Sequence, residues 1–151
     1  MCQKQLILTL VLALLTVPVT DAVAEKVTTI HRQGRDVEVI IAGKVGFESG
    51  SSHLSKAYYP KLINVVRDLK AAPDAAVDIR GFTDSEGEYR ANKELSRERA
   101  QSVADYFIAH RIAARRIKVH GIGEDKPAAS NSTEEGREKN RRVVIRIHYP
   151  I

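Results

Sequence analysis

Asp84 and Arg99 are the residues whose types and spacing make a binding chemistry in this chain. Asp84 lies in Gly81-Phe82-Thr83-Asp84-Ser85-Glu86-Gly87, where a strand runs out into a polar loop. Loops at strand ends commonly carry functional groups on a rigid scaffold. Arg99 follows fifteen positions later, in Asn92-Lys93-Glu94-Leu95-Ser96-Arg97-Glu98-Arg99-Ala100, a helical stretch. It stands four residues after Leu95 and four before Val103, so it shares their side of the helix. An arginine in line with an apolar stripe packs its stem and forks its head toward a partner. A fixed acid facing a fixed base can hold a group that carries both an ammonium and a carboxylate. The same two residues could instead close a salt bridge on each other, and the residues alone leave both readings open.

The elements that must position them read as follows. Thr28 to Arg32, the turn Gln33-Gly34 and Val37 to Ile41 predict a strand pair, with Val37, Val39 and Ile41 on one face. Phe47 to Ser52 reads as a loop, and Ser55 to Leu69 as a helix with Leu62, Val65, Val66 and Leu69 inward. Pro60 fits its first turns. Ala76 to Phe82 is a strand with Val77 and Ile79 inward. The longer helix starts between Gly87 and Ser96 and runs to about His110, with a stripe of Leu95, Ala100, Val103, Ala104, Phe107 and Ile108. Ser85 with Glu88 forms a candidate capping box. Ile117 to Gly121 and Val143 to His148 complete the strands, and polar Gly123 to Arg142 reads as a mobile loop. This order predicts an α+β domain, two helices packed on one face of a mixed sheet, with an extra N-terminal strand or hairpin.

The N-terminus has the layout of a secretory signal peptide over residues 1–24: Lys4, an apolar run from Leu6 to Val19, then Ala22-Val23-Ala24 before Glu25. The run is shorter than the ~20 residues that span a bilayer. The sole cysteine, Cys2, precedes it, which argues against lipidation and leaves residues 25–151 without a disulfide. Those residues suffice for one domain. The net charge of +5 favours acidic partners, and export argues against nucleic acid. No metal, cofactor or hydrolytic constellation emerges, so the chain reads as a binding protein and not an enzyme. Asp84-x-Glu86-x-Glu88 departs from a calcium loop at Tyr89 and Leu95. Gly121-x-Gly123 lacks the third glycine of a dinucleotide loop.

A resemblance adds to this reading. Thr83-Asp84, Gly87, Asn92, Leu95-Ser96, Arg99-Ala100, Gly121-Ile122-Gly123-Glu124, Pro127, Asn131, Thr133, Gly136-Arg137 and Asn140-Arg141-Arg142-Val143 match, in order and spacing, the OmpA-like peptidoglycan-binding domain. The resemblance covers roughly residues 45 to 149. It implies a βαβαββ domain over residues 45–151, behind a strand pair in residues 25–44. In that family the aspartate after the threonine and the arginine before the alanine clasp the diaminopimelate of the peptidoglycan stem peptide. By motif position these are Asp84, for the ammonium, and Arg99, for the carboxylate. Backbone N–H groups at the start of the longer helix could add donors. Thr83 and Asn92 are secondary contacts or turn residues. Arg137 and Arg141 brace the long loop and border the pocket, or belong to a solvated basic stretch.

The expected function is non-covalent recognition of the wall in the periplasm, as an anchor or adaptor against the wall or the inner face of the outer membrane. Its partners would be peptidoglycan and an envelope or motor protein. Three alternatives stand beside it: a membrane-to-wall tether with an uncleaved N-terminal anchor, a flagellar-motor-associated wall binder, and a module whose basic face binds an acidic protein or lipid.

Overall fold

The structure, a computed structural model, describes residues 30–33, 36–47 and 51–150. The signal segment 1–24, the start of the first strand, its turn at Gly34 and positions 48–50 of the expected loop lie outside the described residues. Strand β1 (Ile30–Gln33) pairs antiparallel with β2 (Asp36–Ala42). A single turn α1 (Gly43–Gly46) follows, then a 3₁₀ turn at Lys56–Tyr58 that leads into α2 (Tyr59–Ala71). Pro60 sits in the first turn of α2, where a missing N–H breaks no helical bond. Next come β3 (Ala76–Phe82), α3 (Tyr89–Ala109), β4 (Ile117–Gly123), α4 (Glu134–Asn140) and β5 (Arg142–His148).

The five strands lie in the order β1-β2-β5-β3-β4. Among the described residues only the β3–β4 pair is parallel, so the sheet is mixed. Register places Val39, Ile145 and Ile79 side by side, flanked by Ile41, Val143 and Gly81 on one side and Val37, Ile147 and Val77 on the other. This face joins Leu62, Val66 and Leu69 of α2 and Val103 and Phe107 of α3 in one apolar cluster. The opposite face carries ion pairs such as Glu38–Arg146 at 2.7 Å and Asp78–Arg80 at 2.6 Å. The period of two along β2, β3 and β5 decides which side is which.

Where α3 crosses the sheet, side chains leave no room. Gly81 and Gly121 face each other across β3 and β4. A Cβ on Gly81 would stand 1.8 Å from the Ser96 carbonyl oxygen, and one on Gly121 2.7 Å from that of Lys93. Ser96, fully buried, fixes the crossing by accepting the Gly123 N–H at 2.9 Å and donating to the Lys93 carbonyl at 2.8 Å.

Three local expectations need correction. The segment from Gly123 to Arg142 contains a helix, α4, whose Thr133 hydroxyl accepts the Gly136 N–H. It shows no apolar period because only Gly136 and Asn140 are buried in it. The capping box does not form: α3 begins after Glu88, which makes no side-chain cap bond. The preceding turn is closed by Asp84 instead, and Gly87 takes φ 93°, a conformation that suits glycine. Ile108 is 42% exposed, so the buried stripe of α3 leaves it out and continues toward the N-terminus through Ser96 and Asn92. Among the described residues no helix is long and apolar enough to cross a membrane.

Candidate functional site

At the end of the sheet where β3 runs out, a cleft of about 500 Å³ opens between the loop after β3, α3, α1 and α4. Thr83, Asp84, Asn92, Arg99 and Arg141 all line it. Asp84 is carried there by β3, and Arg99 by the face of α3 that the glycine pair brings against the sheet. Both are almost wholly buried, Asp84 at 6% and Arg99 at 7% exposure.

The two charges share the cleft without bonding each other, which sets aside the direct salt bridge. Asp84 Oδ1 accepts the Glu86 N–H at 3.0 Å, and Oδ2 accepts from Arg141 Nη1 at 2.6 Å. A carboxylate has about four lone-pair positions, so acceptor capacity remains. Arg99 Nε donates to the Ser51 carbonyl at 3.0 Å, and its guanidinium lies 5.4 Å from the Phe47 ring centroid. Among the described residues, Nη1 and Nη2 of Arg99 make no hydrogen bond. Burial pulls the Arg99 pKa below its ordinary value; Asp84 opposes that shift and the Arg141 cation adds to it. Arginine stays charged all the same. A buried, charged fork whose two terminal nitrogens bond none of the described residues has the geometry to accept a carboxylate.

Thr83 supplies a second unused group. Its hydroxyl is, among the described residues, the one buried side-chain polar atom without a hydrogen-bond partner. Such atoms are uncommon in folded proteins and call for a partner. Asn92, by contrast, is committed to holding the loop: Nδ2 reaches the Glu86 carbonyl at 3.0 Å, the Asp84 carbonyl at 3.4 Å and Glu124 Oε2 at 2.7 Å. From α3 the cleft takes Asn92, Leu95 and Arg99. The first-turn N–H groups of that helix therefore stand outside it, against the expectation that they add donors.

The two loop arginines separate. Arg141 enters the cleft and bridges Asp84 to Glu134. Burial works against its charge, yet hydrogen bonds to Glu134 and Asp84 hold its pKa above the ordinary value. Arg137 is not in the lining; it ties α4 to Glu86 at 3.1 Å, to Glu134 at 2.8 Å and to the Asn131 carbonyl at 3.0 Å. Arg142 stacks over Phe82 at 3.9 Å. Sequence reasoning missed Phe47, Lys44, Glu134 and Glu138 as lining residues. An aromatic before a Gly-Ser run and acids in a polar stretch carry no periodic signal.

Asn140 anchors this wall. Fully buried, it accepts the N–H groups of Ala128 and Ala129 at 2.7 and 2.9 Å, and donates to the Ala129 carbonyl and Asn131 Oδ1, both at 2.8 Å. Replacing it with alanine strands several of these groups at about 1–3 kcal/mol each where they stay buried. Asn140→Ala is expected to lower the unfolding free energy by about 2–4 kcal/mol in urea denaturation. A change below about 0.5 kcal/mol would mean that water replaces the amide freely.

The chain is similar to several known proteins. A family model described as the OmpA family matches residues 46–141. The peptidoglycan-binding protein ArfA of Mycobacterium tuberculosis is 42% identical over 112 residues, which are 74% of this chain and 34% of that protein. The probable lipoprotein YiaD of Escherichia coli is 40% identical over 119 residues, 79% of this chain and 54% of the relative. The chain thus spans a third to a half of the length of these relatives. Among solved structures, the cell wall anchor of the T6SS from Pseudomonas aeruginosa superposes with a TM-score of 0.76 at 28% identity, covering 86% of this chain and 93% of that one.

Proposed function

The chain belongs to the OmpA family, and from that premise we propose that it binds cell-wall peptidoglycan non-covalently, through the diaminopimelate of the stem peptide. One observation carries the reading: a buried acid and a buried arginine converge on one cleft, and neither terminal nitrogen of the arginine bonds any of the described residues. The free end of diaminopimelate bears an ammonium and a carboxylate on the same carbon. The ammonium meets the remaining lone pairs of Asp84, and the carboxylate takes the Arg99 fork in a bidentate pair. Thr83 lies in the same lining and offers its hydroxyl. Arg141 orients Asp84 through its 2.6 Å hydrogen bond to Oδ2. Arg137 and Asn92 position the surrounding loops.

Binding rather than catalysis is supported by what ArfA and the secretion-system anchor are named for. The same relatives support a place in the cell envelope, and we assign the protein to the periplasm, against the wall. Residues 1–24 act as the export signal, residues 25–44 supply the outer strand pair, and residues 45–151 form the wall-binding unit.

The test is sedimentation of the purified chain with isolated sacculi. It is expected to pellet with diaminopimelate-type sacculi and to be released by free meso-diaminopimelate. Pelleting that fades with salt but ignores the free amino acid would point instead to the basic surface.

A further inference from the structure

A second depression lies beside the cleft, on the far side of a shared wall. It measures about 570 Å³ and is lined by Leu54, Tyr59, Ser102, Asp105, Tyr106 and His110, among others. The wall between the two is the segment Ser51–Leu54. Arg99 holds it from the cleft side through the Ser51 carbonyl, at 3.0 Å. Ser102, one turn further along α3, holds it through the Ser52 carbonyl at 2.7 Å. Leu54 of the groove and Phe47 of the cleft are themselves paired as a β-bridge. The two depressions are therefore fixed relative to one another by backbone.

The groove has an aromatic wall. Tyr59 and Tyr106 stand 4.9 Å apart between ring centroids, and Tyr106 and His110 4.2 Å apart. The Tyr106 hydroxyl donates to the Tyr59 carbonyl at 3.3 Å, which locks the pair. His110 Nδ1 bonds the Tyr106 carbonyl at 2.7 Å, and among the described residues Nε2 makes no hydrogen bond. Tyr59 remains 38% exposed, and Asp105 and His53 stand exposed at the rim. Asp105 is bonded to Gln101 at 2.8 Å through one oxygen.

An aromatic wall, its rings tilted by 46° and 33° to one another, bordered by a carboxylate, a hydroxyl and an imidazole suits a ligand that is apolar on one face and hydroxylated round its edge. A pyranose ring is such a ligand. An apolar peptide side chain would leave the rim acceptors unused, and an acidic surface would meet Asp105.

We infer that this groove is a subsite for an N-acetylhexosamine ring of the glycan strand that bears the stem peptide. The inference rests on the wall-binding reading above and extends it from the peptide to the sugar. Reach favours it. Arg99 and Tyr106 are seven residues apart on α3, about 10 Å at 1.5 Å per residue. Diaminopimelate is the third residue of a stem peptide, so two residues separate it from the sugar's lactyl group. They span at most about 7 Å when extended, and the diaminopimelate side chain at one end and the lactyl group at the other supply the remainder. A stem peptide anchored at Asp84 and Arg99 and running over the Ser51–Leu54 wall delivers its sugar to the tyrosines.

The experiment is calorimetry on the purified full chain with two soluble ligands: the stem tripeptide ending in diaminopimelate, and the same tripeptide on its disaccharide. The wild type is expected to bind the disaccharide form about tenfold more tightly, the scale of one good aromatic contact. Tyr59→Ala and, independently, Asp105→Ala are expected to shrink that ratio toward one while the affinity for the bare tripeptide stays put. Unchanged tripeptide binding also reports that each variant is folded. If the wild type binds both ligands alike, or if both variants keep the tenfold preference, the sugar subsite is refuted while the peptide site stands. If neither ligand binds, the wall-binding reading falls and this inference falls with it.

Discussion

Arg99→Ala is expected to abolish sedimentation with diaminopimelate-type sacculi at micromolar protein, and Asp84→Ala to do the same. Removing one member of a desolvated, charge-assisted pair typically costs about 2–5 kcal/mol, roughly 30-fold to several thousandfold in affinity. The two variants should differ in their effect on the empty protein. Asp84→Ala leaves Arg141 with Glu134 as a partner, so that charge is not stranded. Arg99→Ala removes the clasp on Ser51 and the contact with Phe47, so some loosening of the segment that follows is expected as well. Arg99→Lys separates the two roles. It keeps a cation near the site but loses the fork and its geometry, so binding should remain strongly weakened. Circular dichroism melts alongside the pelleting assay tell loss of the site from loss of the fold. Full pelleting by both alanine variants, with normal melts, would remove Asp84 and Arg99 from the wall contact.

The second large effect is expected from a residue that touches no ligand. In Gly81→Ala the new methyl would meet the Ser96 carbonyl at 1.8 Å, and that carbonyl is helix backbone with no rotamer to turn aside. Helix α3 must lift from the sheet. Overpacking of this kind costs typically 1–3 kcal/mol and occasionally more, against a total stability of about 5–15 kcal/mol. The melting temperature should fall by on the order of 10 °C. Because lifting α3 also draws the Ser96 hydroxyl from Gly123, Arg99, less than one turn beyond, is displaced from Asp84. Wall binding should weaken even at temperatures where the variant is fully folded. A melting point within about 2 °C of the wild type would show that α3 has slack over the glycine pair.

The contrast between these two predictions tracks what was legible in the residues. Asp84 and Arg99 could be singled out because each sits at a marked place, one past a strand end and one in line with Leu95 and Val103. The strands and the two long helices were legible for the same reason: Val37, Val39 and Ile41 alternate along β2, and Leu62, Val66 and Leu69 recur at helical spacing. Helix α4 was not legible, since its seven residues bury only Gly136 and Asn140 and are held by polar bonds. Nor could Arg141 be told from Arg137. They stand four apart on one turn, and α4 together with the Glu86 and Glu134 carboxylates decides which of them reaches Asp84. The partnership of Ser96 with Gly81 and Gly123 is a contact between elements, which no local pattern reports.

The place of β5 in the sheet has a kinetic consequence. It lies between β2 and β3 and pairs with both, although it follows them in the chain. Glu38 and Arg146, joined across that seam, are 108 residues apart. A nascent or translocating chain that emerges N-terminus first can make the β1–β2 hairpin and the β3–α3–β4 crossover, but each presents an unpaired edge until residues 142–148 arrive. Closure of such long loops is slow, and open edges invite pairing with other chains. The domain is therefore threaded to remain incomplete, and in need of protection from aggregation, until nearly all of it has emerged.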